Sequence, residues 1–127
     1  MTQEEILDYN DRCAIFLGGQ FIRNEKLTYE PRGRWHIKQF PNAQQDYDLK
    51  FDSDWNWIME IKNKIISLKE VDEFNVSYDS VAKGTYVNIL SAHKNTFENI
   101  YTNVCETEKE AVVKANNQFL IWYNKTI

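Results

Sequence analysis

The sequence reads as an α+β domain in which α-helices pack against an antiparallel β-meander, in an α-β-α sandwich-like arrangement. Three features carry that reading: a capping box opening a helix near each end of the chain, a long apolar helical stripe between them, and three consecutive runs of alternating apolar and polar residues. With 127 residues, 43% of them hydrophobic, and only 4 Gly and 2 Pro, the chain is expected to form one domain over 1–127 with a core of its own.

The first capping box is Thr2-Gln3-Glu4-Glu5, where the Thr2 hydroxyl accepts from the Glu5 amide and the Glu5 carboxylate reaches back to the Thr2 amide. Ile6, Tyr9, Cys13, Phe16 and Leu17 then recur at helical spacing, and Gly18-Gly19 supplies the left-handed stop, so a helix is expected over 3–17. Short strands are expected around 20–23 and 35–40, punctuated by Pro31, Gly33 and Pro41. A second helix, over 53–69, starts from Asp52 or Ser53 as its cap. Its apolar residues cover more than half the circumference and leave Asn56, Glu60, Asn63, Lys64 and Ser67 as a narrow polar stripe, which predicts deep burial. Strands follow at 74–78, 85–90 and 99–104, joined by hairpins near Gly84 and around His93-Lys94-Asn95. The second capping box, Thr107-Glu108-Lys109-Glu110, opens a helix over 108–124 that buries Ala111, Val112, Ala115, Phe119, Trp122 and Tyr123. A meander flanked by helices puts both on one face of the sheet, which leaves the N-terminal helix the opposite face or an end.

Fifteen basic residues against nineteen acidic give a net charge of −4, which argues against a sequence-independent nucleic-acid binder. No run approaches the roughly 18 apolar residues of a membrane span, and the opening residues are acidic where an export signal is basic, so a cytoplasmic protein without membrane contact is expected. Cys13 and Cys105 fit two reduced, buried thiols.

Only residues 31–50 are locally basic, with four basic residues (Arg32, Arg34, Lys38, Lys50) against Asp46 and Asp48. Within them Arg32, Arg34, Trp35, His36 and Lys38 combine cations with an aromatic ring, the combination that holds a phosphate and stacks on a base, and they are the candidate anion-binding residues. Strict alternation also describes a strand whose Trp35 and Ile37 face the core while Arg34, His36 and Lys38 face solvent. The acidic positions Asp46, Asp48, Asp52 and Asp54 lack the glycine and terminal glutamate of a calcium loop and read as helix-start and loop residues. Two histidines and two cysteines form no nucleophile or metal motif, so neither a catalytic residue, a metal nor a cofactor is expected. Tyr29, Tyr47, Trp57 and Ile121 are apolar surplus without an obvious place on the stripes and are the candidate partner-interface residues.

Residues 51–59, with Asp54-Trp55-Asn56-Trp57, and the final helix ending in Trp122-Tyr123-Asn124 resemble small phage and prophage proteins of the phage ABA-sandwich-domain type. The resemblance implies a sheet between helical layers and an origin in a phage or mobile element, and it transfers no active-site residue. Residues 52–124, as helix, three strands and helix, also have the order of the double-stranded-RNA-binding domain, but its phosphate-gripping lysines are replaced here by Glu106, Glu108 and Glu110 around Lys109. The expected function is therefore that of a non-catalytic accessory protein that binds a host factor or an anionic nucleotide. A nucleic-acid module and a self-associating structural protein are the alternatives.

Overall fold

The computed structural model describes residues 1–22, 33–41, 48–92 and 97–126. Three helices, α1 (Gln3–Phe16), α2 (Trp55–Ser67) and α3 (Glu108–Thr126), accompany a ribbon of β1 (Gln20–Ile22) and β2 (Arg34–His36). A meander is formed by β3 (Val71–Asp79), β4 (Gly84–Ser91) and β5 (Ile100–Tyr101). The α+β class and the antiparallel meander packed by helices are borne out.

Helix α1 begins at the expected box, with Glu5 N donating to Thr2 Oγ1 (3.1 Å) and Thr2 N donating to Glu5 Oε1 (3.3 Å). It ends in a Schellman turn: Gly19 N donates to Ala14 O (2.8 Å), Gly18 N donates to Ile15 O (2.9 Å), and Gly18 has φ +80°. A Cβ on Gly19 would lie 2.8 Å from Ala14 O and 3.1 Å from Ile37 Cγ1, so only glycine lets the chain leave the helix and run directly under β2.

Helix α2 starts later than expected. Leu49 and Phe51 are buried, and the chain must first turn back on itself, with Ser53 N and Asp54 N both donating to Lys50 O (3.1 and 3.0 Å). The cap is therefore Asp54, whose Oδ1 accepts from Asn56 N (2.9 Å), while Asp52 accepts from Asn10 Nδ2 of α1 (3.3 Å). Nor is α2 as deeply buried as its composition suggests. Ile58, Ile61 and Ile65 form an ordinary one-sided stripe, while Trp55 and Ile66 are exposed.

The deeply buried helix is α3, because it packs against α1, α2, β4 and β5 at once. Val113, Asn116 and Leu120 are buried in addition to Ala111, Val112, Ala115 and Phe119, whereas Trp122 and Tyr123 are half-buried. Thr107 Oγ1 accepts from Glu110 N (3.1 Å) at its start.

In the meander, Phe74 pairs with Ile89, Val76 with Val87, and Ile89 with Ile100, and this face meets α2 and α3. Glu73, Asn75 and Tyr101 on the far face are exposed, and α1 packs on α3 instead of covering them. Among the described residues α1 finds its apolar partner in the central helix. The third strand is shorter than its alternation predicts. Thr102 N donates to Val87 O (2.9 Å), but Val87 N donates to the Thr102 side-chain Oγ1 (2.8 Å), so the regular ladder breaks off there, and a full backbone exchange returns where Thr85 and Cys105 make bonds of 2.8 and 2.7 Å. Cys13 and Cys105 are both buried, as expected, and unpaired. The hairpin expected around His93 lies outside the described residues, and among those described no helix is long and apolar enough to cross a membrane.

All three helices point the same way. Met1 and Ile6 gather with Asp52, Thr107 and Lys109 around one concavity, and Lys109 Nζ sits 5.8 Å from the Trp55 ring centroid, so three helix starts share one end. Phe16 meets Tyr123 edge-on at 5.1 Å, and Lys64 Nζ donates to Phe16 O, so the three ends meet opposite.

Two outcomes test this packing. A Cβ on Gly84 would fall 2.5 Å from both Cys105 O and Val104 Cγ1, so Gly84→Ala should destabilise the fold by about 1–3 kcal/mol in urea denaturation and loosen the Cys105 amide in hydrogen exchange. Burial raises both the Tyr9 hydroxyl and the Cys13 thiol well above their ordinary 10.0 and 9.0; the neighbouring thiol raises Tyr9 further, while the Tyr9 hydroxyl offsets part of the rise at Cys13. The unfolded chain then loses these protons before the folded one does, so stability is full below about pH 8.5 and falls as pH rises beyond it. Cys13→Ala should flatten the first part of that alkaline loss in pH-dependent unfolding.

Candidate functional site

The Schellman turn sets the position of the candidate site, because it delivers the chain from α1 straight into the β1–β2 ribbon. In that ribbon Gln20 pairs with His36, Phe21 with Trp35 and Ile22 with Arg34. Side chains alternate, so Trp35 and then Ile37 enter the core while Arg34, His36 and Lys38 are exposed. Trp35 is 6% exposed, with the Phe21 ring 5.1 Å away, and this corrects its assignment as a stacking platform. A strand that buries one face cannot turn a single residue outward without losing its register. Arg32 lies outside the described residues.

His36 and Lys38, with Gly18, Gln20, Ile37 and Pro41, line an open concavity of about 380 Å³. Arg34 is not among its lining residues; it stands at the far end of β2. A second concavity of about 550 Å³ is lined by Ile15, Phe16, Gly18, Lys64, Tyr123 and Asn124, and Gly18 belongs to both. His36 and Lys38 on one side and Lys64 on the other therefore flank one glycine. Among the described residues Arg34, His36 and Lys38 have no carboxylate partner, in a protein whose net charge is −4. Chemically the arrangement offers cationic and amide donors above an apolar floor of Ile37 and Pro41, which suits an anion carrying a flat or apolar body.

Lys64 is the residue that sequence reasoning left on a polar stripe. Its ammonium donates to Phe16 O and lies 4.7 Å from the Phe16 ring centroid, closing the end of a helix whose own last turn holds no basic residue. That absence of a cation in the last turn of α1 was the signal available in the sequence.

Of the interface candidates, the two among the described residues, Trp57 and Ile121, stand on different helices. Trp57 stacks on Phe40 at 3.9 Å and 10° and meets Phe51 edge-on at 4.8 Å, so it fastens the segment before α2 to that helix and is no spare aromatic. Ile121 is half-buried in α3, and Tyr29 and Tyr47 lie outside the described residues. At the opposite end of the molecule the start of α3 carries exposed Glu106, Glu108 and Glu110, which would repel a phosphate ladder. Among the described residues no three His, Cys, Asp or Glu side chains gather as a metal site.

No family model, no curated protein and no solved structure matches the chain.

Lys64→Met should keep the side-chain packing but remove the charged bond to Phe16 O. It is expected to cost about 1–2 kcal/mol of stability and to raise hydrogen exchange at Gly18 and Gly19 ahead of the meander.

Proposed function

We propose that this chain is a small non-catalytic binding protein that captures an anionic, nucleotide-like ligand at the basic end around Gly18. In keeping with the resemblance of its sequence, it would serve as an accessory protein of a phage or mobile element. The observation that carries the reading is the set of exposed basic residues Arg34, His36 and Lys38 without carboxylate partners among the described residues, two of them lining one concavity. At about 380 Å³ that concavity is within the range of roughly 300–1,000 Å³ that accommodates small organic ligands. A binding role fits better than catalysis, because both thiols are buried and His36 stands on an exposed strand face without a carboxylate to orient it.

Titration calorimetry with inorganic phosphate and with nucleoside mono- and triphosphates tests the reading at low salt. The combined Arg34→Ala, His36→Ala, Lys38→Ala variant should bind about tenfold or more weakly and show a flatter salt dependence, with an unchanged circular dichroism spectrum. Absence of binding by the parent protein, or equal binding by the variant, would remove the basic end as the site and leave an acidic surface on a host protein as the partner to seek.

A further inference from the structure

Strand β3 is an edge of the meander: among the described residues it pairs with β4 alone. The register shows which of its backbone groups are unused. Thr85 exchanges backbone bonds with Cys105, and Val87 O accepts from Thr102 N, so these two residues of β4 turn their backbone away from β3. Tyr78 and Val76, which stand opposite them, are therefore not bonded to β4, and by alternation neither is Phe74, opposite Ile89. The N–H and C=O groups of Phe74, Val76 and Tyr78 point outward in the plane of the sheet and meet no backbone partner among the described residues.

Such an edge accepts another strand unless lysine, proline or a bulge blunts it. From Glu73 to Asp79 there is neither lysine nor proline, and the bulge lies before that stretch, between Val71 and Glu73. Helix α2 supplies a wall beside the edge. Lys62 Nζ lies 5.4 Å from the Phe74 ring centroid, so that flank of the helix lies over β3. Met59 and Ile66 share the flank at helical spacing, clear of the Ile58, Ile61 and Ile65 stripe that faces the core, and Ile66 is 47% exposed. This is a portion of the wide apolar surface of α2 that the described residues leave uncovered. The strand itself is acidic: it carries Asp72, Glu73 and Asp79 and no basic residue, and Glu73 and Asp79 stand on the face away from α2.

We propose that the β3 edge and the flank of α2 bearing Met59 and Ile66 form a groove for an extended segment of a partner protein, one that alternates apolar and basic residues. The segment adds as a further strand and makes backbone bonds to Phe74, Val76 and Tyr78. Its apolar side chains lie against Met59 and Ile66, and its basic ones stand beside Glu73 on the far face. A second copy of β3 suits the groove less well, because it would bring its own carboxylates and its own α2 into the same space. The groove shares no residue with the concavities around Gly18, so the inference stands apart from the anion-binding role.

The probe is an end-blocked peptide alternating valine and lysine, titrated into the intact chain at low salt. Hydrogen exchange should slow at the Phe74 and Val76 amides and stay unchanged at Asn75 and Ser77, which already face β4. Glu73 is exposed, so Glu73→Lys should fold normally, bind this peptide about tenfold or more weakly, and take up the same peptide with glutamate in place of lysine. Ile66→Ser should weaken uptake of either peptide severalfold without changing the circular dichroism spectrum. Absence of binding at millimolar peptide, binding that leaves exchange at Phe74 and Val76 unchanged, or an unaltered charge preference in Glu73→Lys would each overturn the proposal. So would protection of those amides that rises with protein concentration alone, since the occupant would then be a second copy of the chain.

Discussion

Three helices that point the same way gather three like dipole ends on each side of the molecule, and the placement of charge follows from that constraint. Each start is equivalent to roughly half a positive charge and each end to roughly half a negative one. The starts are answered by Thr2 with Glu4 and Glu5, by Asp54, and by Thr107 with Glu108 and Glu110. The ends are answered by Lys125 in α3 and by Lys64 in α2, and Lys64 serves α1 as well through Phe16 O. The parallel arrangement itself is a consequence of the meander. A helix entering the sheet and a helix leaving it, on one face of three antiparallel strands, are brought into the same direction, and α1 then aligns along the more buried of the two.

The same constraint explains why the acidic protein has a basic end. A phosphate approaching helix starts usually finds free amides there. Here those amides are occupied by side-chain caps and surrounded by carboxylates. At the opposite end Lys64 is committed to the backbone of α1, so it offsets the helix ends without leaving a full free charge. Among the described residues, Arg34 in β2 and Lys38 just after it then exceed the roughly half charge at the end of α1, and the surplus is positive. The ribbon can sit there because Gly19 has no Cβ to collide with Ala14 O.

Much of the fold was legible in local chemistry. Both threonine caps, the glycine stop and the alternation of β3 and β4 depend on residues within a few positions of one another, and all are formed as expected. The departures have long-range causes. Asp54 replaces Asp52 as the cap because Asp52 is claimed by Asn10, 42 positions away. The third strand ends at Tyr101 because a threonine side chain takes a backbone proton from the neighbouring strand, which no alternation pattern records. Helix α1 packs on α3 because the central helix has apolar residues on more than one side, a fact hidden when each stripe is read alone. At the candidate site, exposure of Arg34, His36 and Lys38 followed from strand periodicity. The inward Trp35 is the other half of the same alternation, while Lys64 joins them only through tertiary packing.

The most direct test of this charge arrangement is where an anion goes. Backbone amide shifts recorded while inorganic phosphate is added at low ionic strength should change at Gly18, Gln20, His36 and Lys38, with the helix starts unaffected. Shifts concentrated at Gln3–Glu5 and Glu108–Glu110 instead would mean that the helix dipoles prevail over the side chains set against them, and would contradict the account.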